Sequence, residues 1–278
     1  MKGLISGIKR MEIHDGDGLR TTVFFKGCPL KCIWCHNPES ISFERQMAFF
    51  KEKCCGCLEC NKFPQSDIEK ICENCPMEAR VLFGKEYEAD ELAKLLLVDK
   101  PFFDNSSGGV TFSGGECLAQ PQFTVELAGI LKKLGVSVYI DTCGFVNREV
   151  LDEIIPLTDK FLYDIKAIDS CLHKKLTGVE NNIILDNLKY LISRNCSIEI
   201  RYPLVKGYND EEAEKIGMFL KENNFKGKVK ILKYHSFAAS RYEALSMPCY
   251  MPETETRDEH IIEAKNVFNK YKIEVCAD

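Results

Sequence analysis

The chain reads Cys28-Pro29-Leu30-Lys31-Cys32-Ile33-Trp34-Cys35 directly after an apolar run, Thr22-Val23-Phe24-Phe25. The apolar run predicts a buried strand, and the three cysteines stand on the loop that leaves it. Three thiolates this close together can hold three irons of a cube-shaped 4Fe-4S cluster, which leaves the fourth iron without a protein ligand. An open coordination position separates a catalytic metal site from a structural one. The segment therefore predicts a catalytic iron–sulfur cluster with Cys28, Cys32 and Cys35 as its ligands.

A zinc site is the alternative for the same three cysteines, with His36 as the fourth ligand. Zinc sites usually pair their ligands as C-x-x-C and H-x-x-x-H at a distance along the chain. Four ligands within nine residues would be cramped around one ion. The spacing and the position after a strand therefore favour the iron–sulfur interpretation.

Length and composition are those of an ordinary globular protein. The chain has 278 residues, 45% hydrophobic and 28% charged, which predicts one main domain with a small insert. The formal net charge is −5, so no basic surface predicts a nucleic-acid partner. No apolar run approaches the roughly 20 residues that span a bilayer, and the first residues lack the apolar core of a signal peptide. We therefore expect a cytoplasmic protein that binds neither membrane nor nucleic acid.

Cysteine is the unusual component, with 15 residues. An odd number in uneven clusters, without a secretion signal, argues against a disulfide framework. Nine of the cysteines lie in the first 75 residues, which predicts metal ligation in a reducing compartment. The remaining six are expected to be small buried hydrophobic residues. They are Cys117, Cys143, Cys171, Cys196, Cys249 and Cys276.

Short strand-like and helix-like segments alternate along most of the chain. The predicted strands are Val23–Phe25, Val110–Phe112, Val136–Ile140, Phe161–Tyr163, Ile198–Tyr202 and Val229–Leu232. Alternation of this kind predicts a parallel sheet covered by helices. Six such units are too few for a closed eight-unit barrel, which takes about 250 residues. The predicted fold is therefore an α/β partial (β/α)6 barrel, similar to a TIM barrel but open on one side.

Amphipathic stretches between the strands predict the helices. Apolar residues recur at helical spacing between residues 123 and 134, and Asp210 is predicted to cap a later helix. A final helix is predicted from Glu255 to Tyr271. Residues 50–85 interrupt the pattern, because they hold six cysteines and no clear amphipathic period. We predict a barrel core from residues 1–49 and 86–278, with residues 50–85 as a cysteine-rich, ferredoxin-like insert.

One further motif precedes the first predicted strand and others follow the predicted strands in order, and together they resemble one family. They are Ile13–Arg20, His36–Glu39, Thr111–Glu116, Asp141–Phe145, Asp164–Lys166, Arg201–Asp210 and Tyr234–Phe237. With the C-x-x-x-C-x-x-C loop, they resemble the glycyl-radical enzyme activating enzymes, the family of the pyruvate formate-lyase activase within the radical S-adenosylmethionine (radical SAM) superfamily. Motifs at the carboxyl ends of parallel strands converge on one mouth, where barrel active sites lie.

The resemblance implies a role for each motif residue near S-adenosylmethionine. Gly114 and Gly115 would meet the methionine part of the ligand and donate backbone N–H groups, with Glu116 near its amino group. Lys166 and His235 would balance the ligand's carboxylate and ribose hydroxyls. Lys166 is accordingly placed with the three cluster cysteines among the catalytic residues.

A second group of residues is implied at the same site. Trp34 would offer a flat face to adenine, with a core aromatic as the alternative, and His36 would lie among the cofactor-binding residues. Asp141 and Asp164 would face one another and hold a monovalent cation. Arg201 would contact the ligand, or act as a structural salt-bridge partner instead.

The cysteines of the insert resemble a bacterial ferredoxin motif only in part. The chain reads C-x-x-C-x-x-C at Cys54, Cys57 and Cys60, but the fourth cysteine of the ferredoxin pattern is absent, with Pro64 in its place. Activating enzymes often carry eight cysteines here, and this insert has six. We predict one auxiliary 4Fe-4S cluster on Cys54, Cys57, Cys60 and Cys75. The alternative set is Cys57, Cys60, Cys72 and Cys75, which is also a zinc-ribbon pattern.

The resemblance also implies the function. The enzyme would cleave S-adenosylmethionine reductively to a 5′-deoxyadenosyl radical, and the radical would abstract a glycine Cα hydrogen from a partner glycyl-radical enzyme. Reduced flavodoxin or ferredoxin would supply the electron. The alternatives are a radical SAM enzyme acting on a small molecule or peptide, a non-catalytic iron–sulfur electron-transfer protein, and a zinc-binding interaction module.

One motif departs from the family. Activating enzymes usually read Asp-Gly-Pro-Gly where this chain has Asp15-Gly16-Asp17-Gly18. Proline fixes a turn that aspartate only favours, so the loop is expected to be more mobile, or Asp17 to meet a different partner.

Overall fold

The computed structural model describes residues 1–277, and their strands form one large and one small sheet. The strands are β1 (Lys2–Glu12), β2 (Arg20–Phe25), β3 (Gln46–Phe49), β4 (Arg80–Phe83), β5 (Lys85–Glu88), β6 (Gly109–Gly114), β7 (Ser137–Thr142), β8 (Lys160–Asp164), β9 (Ile198–Leu204), β10 (Lys228–Lys233) and β11 (Glu274–Ala277).

Helices alternate with the strands of the large sheet. The α-helices are α1 (Ile68–Glu73), α2 (Ala89–Leu97), α3 (Lys100–Ser106), α4 (Pro121–Lys133), α5 (Arg148–Ile154), α6 (Ser170–Thr177), α7 (Asn182–Ser193), α8 (Glu212–Glu222), α9 (Ala239–Ala244) and α10 (Asp258–Lys270). Short 3-10 helices lie at Pro38–Ser40, Lys51–Lys53, Glu59–Lys62, Cys117–Ala119 and Ile155–Leu157. Among residues 1–277, no helix is long and apolar enough to cross a membrane.

The large sheet has the order β11-β10-β9-β8-β7-β6-β2-β1-β5. Every neighbouring pair from β2 to β11 is parallel, whereas β1 runs antiparallel to both β2 and β5. The two end strands, β11 and β5, do not pair with each other, so the sheet stays open. All six predicted strands are present in the predicted order, and the partial barrel is confirmed. The parallel strand β11 and the antiparallel strands β1 and β5 extend it beyond the six predicted units.

The two faces of the sheet differ in chemistry because side chains alternate along each strand. Phe112, Ile140 and Phe161 are at most 1% exposed and pack in the core that the outer helices cover. Burial of a side chain of this size contributes about 1.5–3 kcal/mol relative to exposure. The adjacent positions are polar: Thr111 of β6 pairs in register with Tyr139 of β7 on the inner face. This polar inner face is where the site lies.

The loop between β1 and β2 crosses the inner face and contacts several strands. Asp15 accepts a hydrogen bond from Thr22 of β2 at 2.8 Å, and its backbone oxygen accepts one from Thr111 of β6 at 2.7 Å. Asp17 pairs with Lys160 of β8 and accepts a hydrogen bond from the Tyr139 hydroxyl at 2.9 Å. Lys160 is the main cause of a lowered pKa of Asp17. Asp17 thus has partners of its own, which is the second of the two expectations for this loop.

The predicted helix ends need two corrections. Asp210 does not cap α8, because Glu211 precedes its first residue while the Asp210 carboxylate accepts the Gly207 N–H at 2.8 Å and pairs with Lys206. The final helix, α10, spans Asp258–Lys270 and is shorter than predicted at both ends. At Asp210 the side chain takes part in a loop contact, which competes with helix capping.

The cysteine-rich segment projects from a small sheet of its own. Strands β3 and β4 pair in antiparallel register, from Gln46 opposite Phe83 to Phe49 opposite Arg80. Ala48 of β3 packs against Ala244 and Leu245, at the end of α9. Helix α1 lies within the segment, where no helix was predicted. The division of the chain into a core and an insert at residues 50–85 stays a prediction.

Candidate active site

The carboxyl ends of the parallel strands surround one cavity of about 760 Å³. Cavities that bind small ligands usually measure about 300–1,000 Å³. Most of the predicted core site residues line it. They are Cys28, Cys32, Trp34, Cys35, His36, Gly114, Gly115, Asp141, Asp164, Lys166, Arg201 and His235. The convergence expected for motifs at strand ends is therefore present, and Glu116 alone of the predicted core residues is not in the lining.

Backbone hydrogen bonds fasten the cysteine loop after β2 along its length. The Cys28 N–H donates to the Ile41 carbonyl oxygen at 3.0 Å, and the Lys31 N–H donates to the Thr177 carbonyl oxygen of α6 at 2.7 Å. The Cys35 carbonyl oxygen accepts a hydrogen bond from the Tyr242 hydroxyl of α9 at 3.0 Å. With its backbone held by these elements, the loop presents all three thiols to one cavity.

The three thiols have different surroundings. Burial raises the pKa of Cys32 to about 12 and also raises that of Cys35. The neighbouring Cys143 thiol is the main cause of a lowered pKa of Cys28. A bound metal deprotonates a coordinating thiol outright.

Within residues 1–277, no three His, Cys, Asp or Glu side chains converge on a point to hold one ion. A 4Fe-4S cube instead binds each cysteine at a different iron.

Glu116 is a buried carboxylate with hydrogen-bond partners inside the protein, and its position near a ligand amino group stays a prediction. Its side chain is wholly buried and accepts hydrogen bonds from the N–H groups of Leu118 at 3.0 Å and Cys143 at 2.8 Å. The Thr142 hydroxyl lies 2.8 Å and 2.9 Å from its two oxygens. Glu116 therefore ties the end of β6 to the end of β7.

The adjacent glycines are needed for close backbone packing. Gly114 has a φ of +106°, and a Cβ there would lie 2.3 Å from the backbone nitrogen of Phe25. The Gly115 N–H donates to the Phe25 carbonyl oxygen at 2.8 Å, so the predicted donation from Gly115 to a ligand is corrected. Both glycines still line the cavity, and they let the end of β6 lie against the start of the cysteine loop.

Lys166 forms a buried ion pair with Asp164 in the cavity wall. The Lys166 Nζ atom lies 2.7 Å from an Asp164 carboxylate oxygen, and the lysine side chain is 9% exposed. Burial alone would lower the pKa of Lys166, but the Asp164 carboxylate and the nearby cysteines raise it above its usual value. Lys166 therefore stays cationic beside the three cluster cysteines.

Arg201 joins the β1–β2 loop to β7. Its guanidinium lies 3.4 Å from Asp15 and 3.5 Å from Asp141, and it donates to the His14 carbonyl oxygen at 3.0 Å. Asp141 also accepts a hydrogen bond from the Ser113 hydroxyl at 2.5 Å. Burial raises the pKa of Asp141 to about 7, with Arg201 opposing this rise. The salt-bridge alternative is thus what the structure contains, although Arg201 also lines the cavity.

Aromatic rings form the wall beside the cysteine loop. Trp34 is 6% exposed and packs with Leu176, Val205 and Tyr234, so it is a core aromatic with one edge in the cavity lining. Past the loop, the rings of His36, His235 and Phe237 stack in sequence with centroid separations of 4.3 Å. Phe237 is 77% exposed, so this row leads from the cysteine loop to the surface.

His36 is the fourth ligand of the zinc alternative, and its ring lines the main cavity. Its Nε2 atom donates a hydrogen bond to the His235 carbonyl oxygen at 2.8 Å, and a histidine that ligates a metal makes the same kind of contact with its second nitrogen. The zinc alternative at this loop therefore stays a prediction. Burial lowers the pKa of His36, which favours the neutral ring.

Two buried nitrogen atoms on the cavity wall have no hydrogen-bond partner among the described residues. They are Nδ1 of His235 and Nε of Arg201. A buried polar atom without a partner costs about 1–3 kcal/mol. Together with three thiols and a buried lysine, these atoms give a donor set that fits a 4Fe-4S cluster and a polar ligand beside it.

The insert holds a second, smaller cavity of about 150 Å³. Its lining includes Cys54, Cys55, Cys57, Cys60 and Cys75. Burial alone would raise the pKa of Cys75, but backbone N–H groups of residues 77, 79 and 80 lower it.

Cys72 does not line the small cavity among the described residues, and burial raises its pKa to about 11. The lining thus contains the first predicted ligand set and not the alternative one.

Sequence reasoning gave no role in the main cavity to Asp15, Ser113 or Cys143, which line it. Each lies inside a motif quoted above, and Cys143 was expected only to be a small buried hydrophobic residue. Asp15 contacts Arg201 and Ser113 contacts Asp141, both across the sheet. The only sequence signal was their position within those motifs at the strand ends.

Residues 22–220 of the chain match the family model described as the Radical SAM superfamily. The chain is 39% identical over 268 residues to the trans-4-hydroxy-L-proline dehydratase activating enzyme of Clostridioides difficile, covering 88% of each protein. It is 36% identical over 271 residues to the choline trimethylamine-lyase activating enzyme of Oleidesulfovibrio alaskensis, covering 88% of this chain and 87% of that one.

A solved structure shares the fold. The domain of pyruvate-formate lyase-activating enzyme from Bacteroides vulgatus superposes with a TM-score of 0.53 at 24% identity. The superposition covers 62% of this chain and 99% of that domain.

Proposed function

The chain belongs to the radical SAM superfamily and, within it, to the activating enzymes of glycyl-radical enzymes, and from this premise we propose how its residues carry the activity. When bound, the 4Fe-4S cluster supplies the electron that cleaves S-adenosylmethionine to a 5′-deoxyadenosyl radical, which takes a glycine Cα hydrogen from the partner enzyme. The observation that carries the proposal is that Cys28, Cys32, Cys35 and Lys166 line a single cavity.

Cys28, Cys32 and Cys35 hold the cluster in this proposal. They come from one loop whose backbone is fastened at both ends, so their thiols keep their relative positions when the metal is bound. Such preorganisation matters because a ligand placed 1 Å away from its productive position can cost two orders of magnitude in rate.

Lys166 and His235 orient S-adenosylmethionine. Lys166 offers a permanent positive charge to the ligand carboxylate, and Asp164 holds that charge in place at 2.7 Å. His235 Nδ1 is buried without a partner, so a ribose hydroxyl would satisfy it. The edge of Trp34 in the cavity lining offers an apolar surface to adenine.

The proposal also includes a monovalent cation held by Asp141 and Asp164. Both carboxylates line the cavity, but Arg201 and Lys166 already face them. The cation would therefore have to share each carboxylate with a basic side chain.

We place one auxiliary 4Fe-4S cluster on Cys54, Cys57, Cys60 and Cys75. All four line the small cavity of the insert, which supports this set over the one with Cys72. The two sets make opposite predictions for single substitutions. Replacing Cys54 with serine should lower bound iron by about four atoms per chain, the content of one cubane. Replacing Cys72 with serine should leave the iron content unchanged.

Iron and zinc analysis after anaerobic reconstitution measures this directly. The two variants control for each other, since each removes one thiol from the same insert. Iron loss in the Cys72 variant alone would select the alternative ligands, and about one zinc per chain in the unaltered protein would contradict an auxiliary cluster.

The partner and the electron donor complete the proposed function. Reduced flavodoxin or ferredoxin is proposed as the electron donor, because the reaction needs one low-potential electron per turnover. The exposed ring of Phe237 borders the cavity, where a glycine-bearing segment of a partner would enter. The hydroxyproline dehydratase and the choline lyase are the first partners to test, since the activating enzymes of both are relatives of this chain.

The function is tested with reconstituted protein, reductant and S-adenosylmethionine, mixed with each partner in turn. We expect a glycyl radical in the electron paramagnetic resonance spectrum of one partner, together with 5′-deoxyadenosine. Cleavage without a radical on any tested partner would favour the small-molecule or peptide alternative. An intact cluster without cleavage would favour the electron-transfer alternative.

A further inference from the structure

Helix α9 holds the backbone that follows the last cysteine of the cysteine loop. The Tyr242 hydroxyl donates to the Cys35 carbonyl oxygen at 3.0 Å, and the Arg241 guanidinium donates to the His36 carbonyl oxygen at 3.2 Å. Two neighbouring residues of one helix thus bind two neighbouring carbonyl groups of the loop. Arg241 is not among the described residues that line the main cavity, so it reaches the site only through the groups it holds.

Glu39 fixes the Arg241 guanidinium in this contact. A single nitrogen, Nη1 of Arg241, lies 3.2 Å from the His36 carbonyl oxygen and 3.0 Å from the Glu39 carboxylate. Glu39 is 9% exposed, and its own carbonyl oxygen accepts a hydrogen bond from the buried Lys26 ammonium at 2.6 Å. The carboxylate is therefore a fixed point to which the partly exposed arginine is anchored.

His36 in turn holds His235. The His36 Nε2 atom donates to the His235 carbonyl oxygen at 2.8 Å, and the two rings stack with their centroids 4.3 Å apart. His235 lines the main cavity, and its buried Nδ1 atom has no hydrogen-bond partner within residues 1–277. The contacts that begin at Arg241 therefore end at a ring nitrogen that still needs a partner.

We propose that Arg241 is a positioning residue that orients the His235 ring, through His36, to hydrogen-bond a ribose hydroxyl of S-adenosylmethionine. The inference rests on the proposed function, which places the ribose at His235. It predicts an effect on the adenosyl part of the ligand alone, because the methionine part is assigned to Lys166. Lys166 follows β8, whereas His235 follows β10, so the two groups stand at different strand ends.

The two products of cleavage test the two parts of the ligand separately. Full-length, anaerobically reconstituted protein and its Arg241→Met variant are given dithionite and isotope-labelled S-adenosylmethionine, and labelled products are measured by mass spectrometry. Unlabelled 5′-deoxyadenosine or unlabelled methionine is added as a competitor. We expect the inhibition constant of 5′-deoxyadenosine to rise roughly 2–10-fold in the variant, the range for loss of one hydrogen bond. The inhibition constant of methionine and the iron content should stay unchanged.

Arg241→Lys is the conservative variant. A lysine ammonium can make both contacts that Nη1 makes, so this variant should return the inhibition constant of 5′-deoxyadenosine toward the unaltered value.

Arg45→Met is the matched control. The Arg45 side chain is 37% exposed, close to the 41% of Arg241, and it pairs with Glu69 at 3.1 Å. Arg45 is not among the described residues that line the main cavity. Its replacement should leave both inhibition constants unchanged.

The double variant Arg241→Met with Glu39→Gln tests whether an unpaired buried carboxylate causes the effect. Glutamine keeps the shape of Glu39 and removes its charge. We expect the double variant to bind 5′-deoxyadenosine as weakly as Arg241→Met, because the donor to His36 is still missing. Recovery of binding would overturn the inference.

Unchanged inhibition by 5′-deoxyadenosine in Arg241→Met would also overturn it, as would equal weakening of both products or a lysine variant no better than methionine. Loss of iron from Arg241→Met, with the unaltered protein fully loaded, would overturn it by making Arg241 a general support of the cysteine loop. Failure of the unaltered protein to cleave S-adenosylmethionine would instead contradict the proposed function, before any variant is compared.

Discussion

Replacing Cys32 with alanine is expected to lower the formation of 5′-deoxyadenosine from S-adenosylmethionine by on the order of 10³-fold or more, equivalent to at least about 4 kcal/mol in the activation barrier. Cys32 is the central cysteine of the loop and lines the main cavity together with Cys28 and Cys35. The variant keeps two of the three thiols that the cluster needs, and both cluster assembly and cleavage depend on the third. The measurement is 5′-deoxyadenosine released under anaerobic conditions with dithionite, alongside iron content.

The control for this substitution is Cys171→Ala, which removes an exposed thiol on α6 outside the cavity lining. It should retain both iron and cleavage. Cleavage by the Cys32 variant at the rate of the unaltered protein would show that the loop does not hold the active cluster. Equal losses in both variants would show that the effect is general damage to the protein.

The central part of the fold was predictable because its sequence signals are strong. The six central parallel strands are short runs of β-branched and aromatic residues, and burial on both faces or against helices requires such runs. Strands β1, β5 and β11 lie toward the sheet margins, and two of them are short. β5 reads Lys-Glu-Tyr-Glu, with three charged residues that a strand-propensity pattern disfavours. This segment forms a strand because it pairs with β1, and its local sequence does not indicate that pairing.

The sequence predicted the site well where a residue's position along its strand decides whether it lines the cavity. It predicted the site less well where contacts between side chains of different strands decide this. Motifs at strand ends had to converge, and twelve of the thirteen core site residues line the cavity. Glu116 has the residue type and position of a ligand contact, yet its carboxylate already accepts hydrogen bonds from Leu118, Thr142 and Cys143. That outcome depends on how closely β6 approaches β7, which no spacing within either motif reveals.

Asp17 is another residue whose partners on distant strands the sequence did not reveal. The sequence showed only that a turn-fixing proline was missing. The structure supplies Lys160 and Tyr139 as partners, from strands more than 120 residues away along the chain. An ion pair and a hydrogen bond across the inner face therefore hold the loop at Asp17.

Replacing Arg201 with methionine is expected to lower the free energy of unfolding by about 3–5 kcal/mol, the cost of removing one partner from a buried ion pair. The Arg201 side chain is 7% exposed and lies between Asp15 and Asp141, so methionine would leave these two acidic side chains facing each other without a cation. Burial already raises the pKa of Asp141 to about 7 with the arginine present, so without it the carboxylate would stay ionised or take up a proton only at a cost in stability. Urea unfolding of the metal-free chain measures this, since cluster loss would otherwise violate two-state behaviour. Arg194→Met, at an exposed position, should change the free energy by no more than about 0.5 kcal/mol.

A second variant separates lost charge compensation from lost packing in the Arg201 substitution. Adding Asp15→Asn and Asp141→Asn to Arg201→Met removes the two uncompensated carboxylates while keeping their shapes. If charge is the cause, the triple variant should regain a large part of the lost stability, because neutral amides are far less costly to bury than unpaired carboxylates. If it is no more stable than Arg201→Met, the stabilisation by Arg201 would come from packing, and the three side chains would not act as one electrostatic unit between the β1–β2 loop and β7.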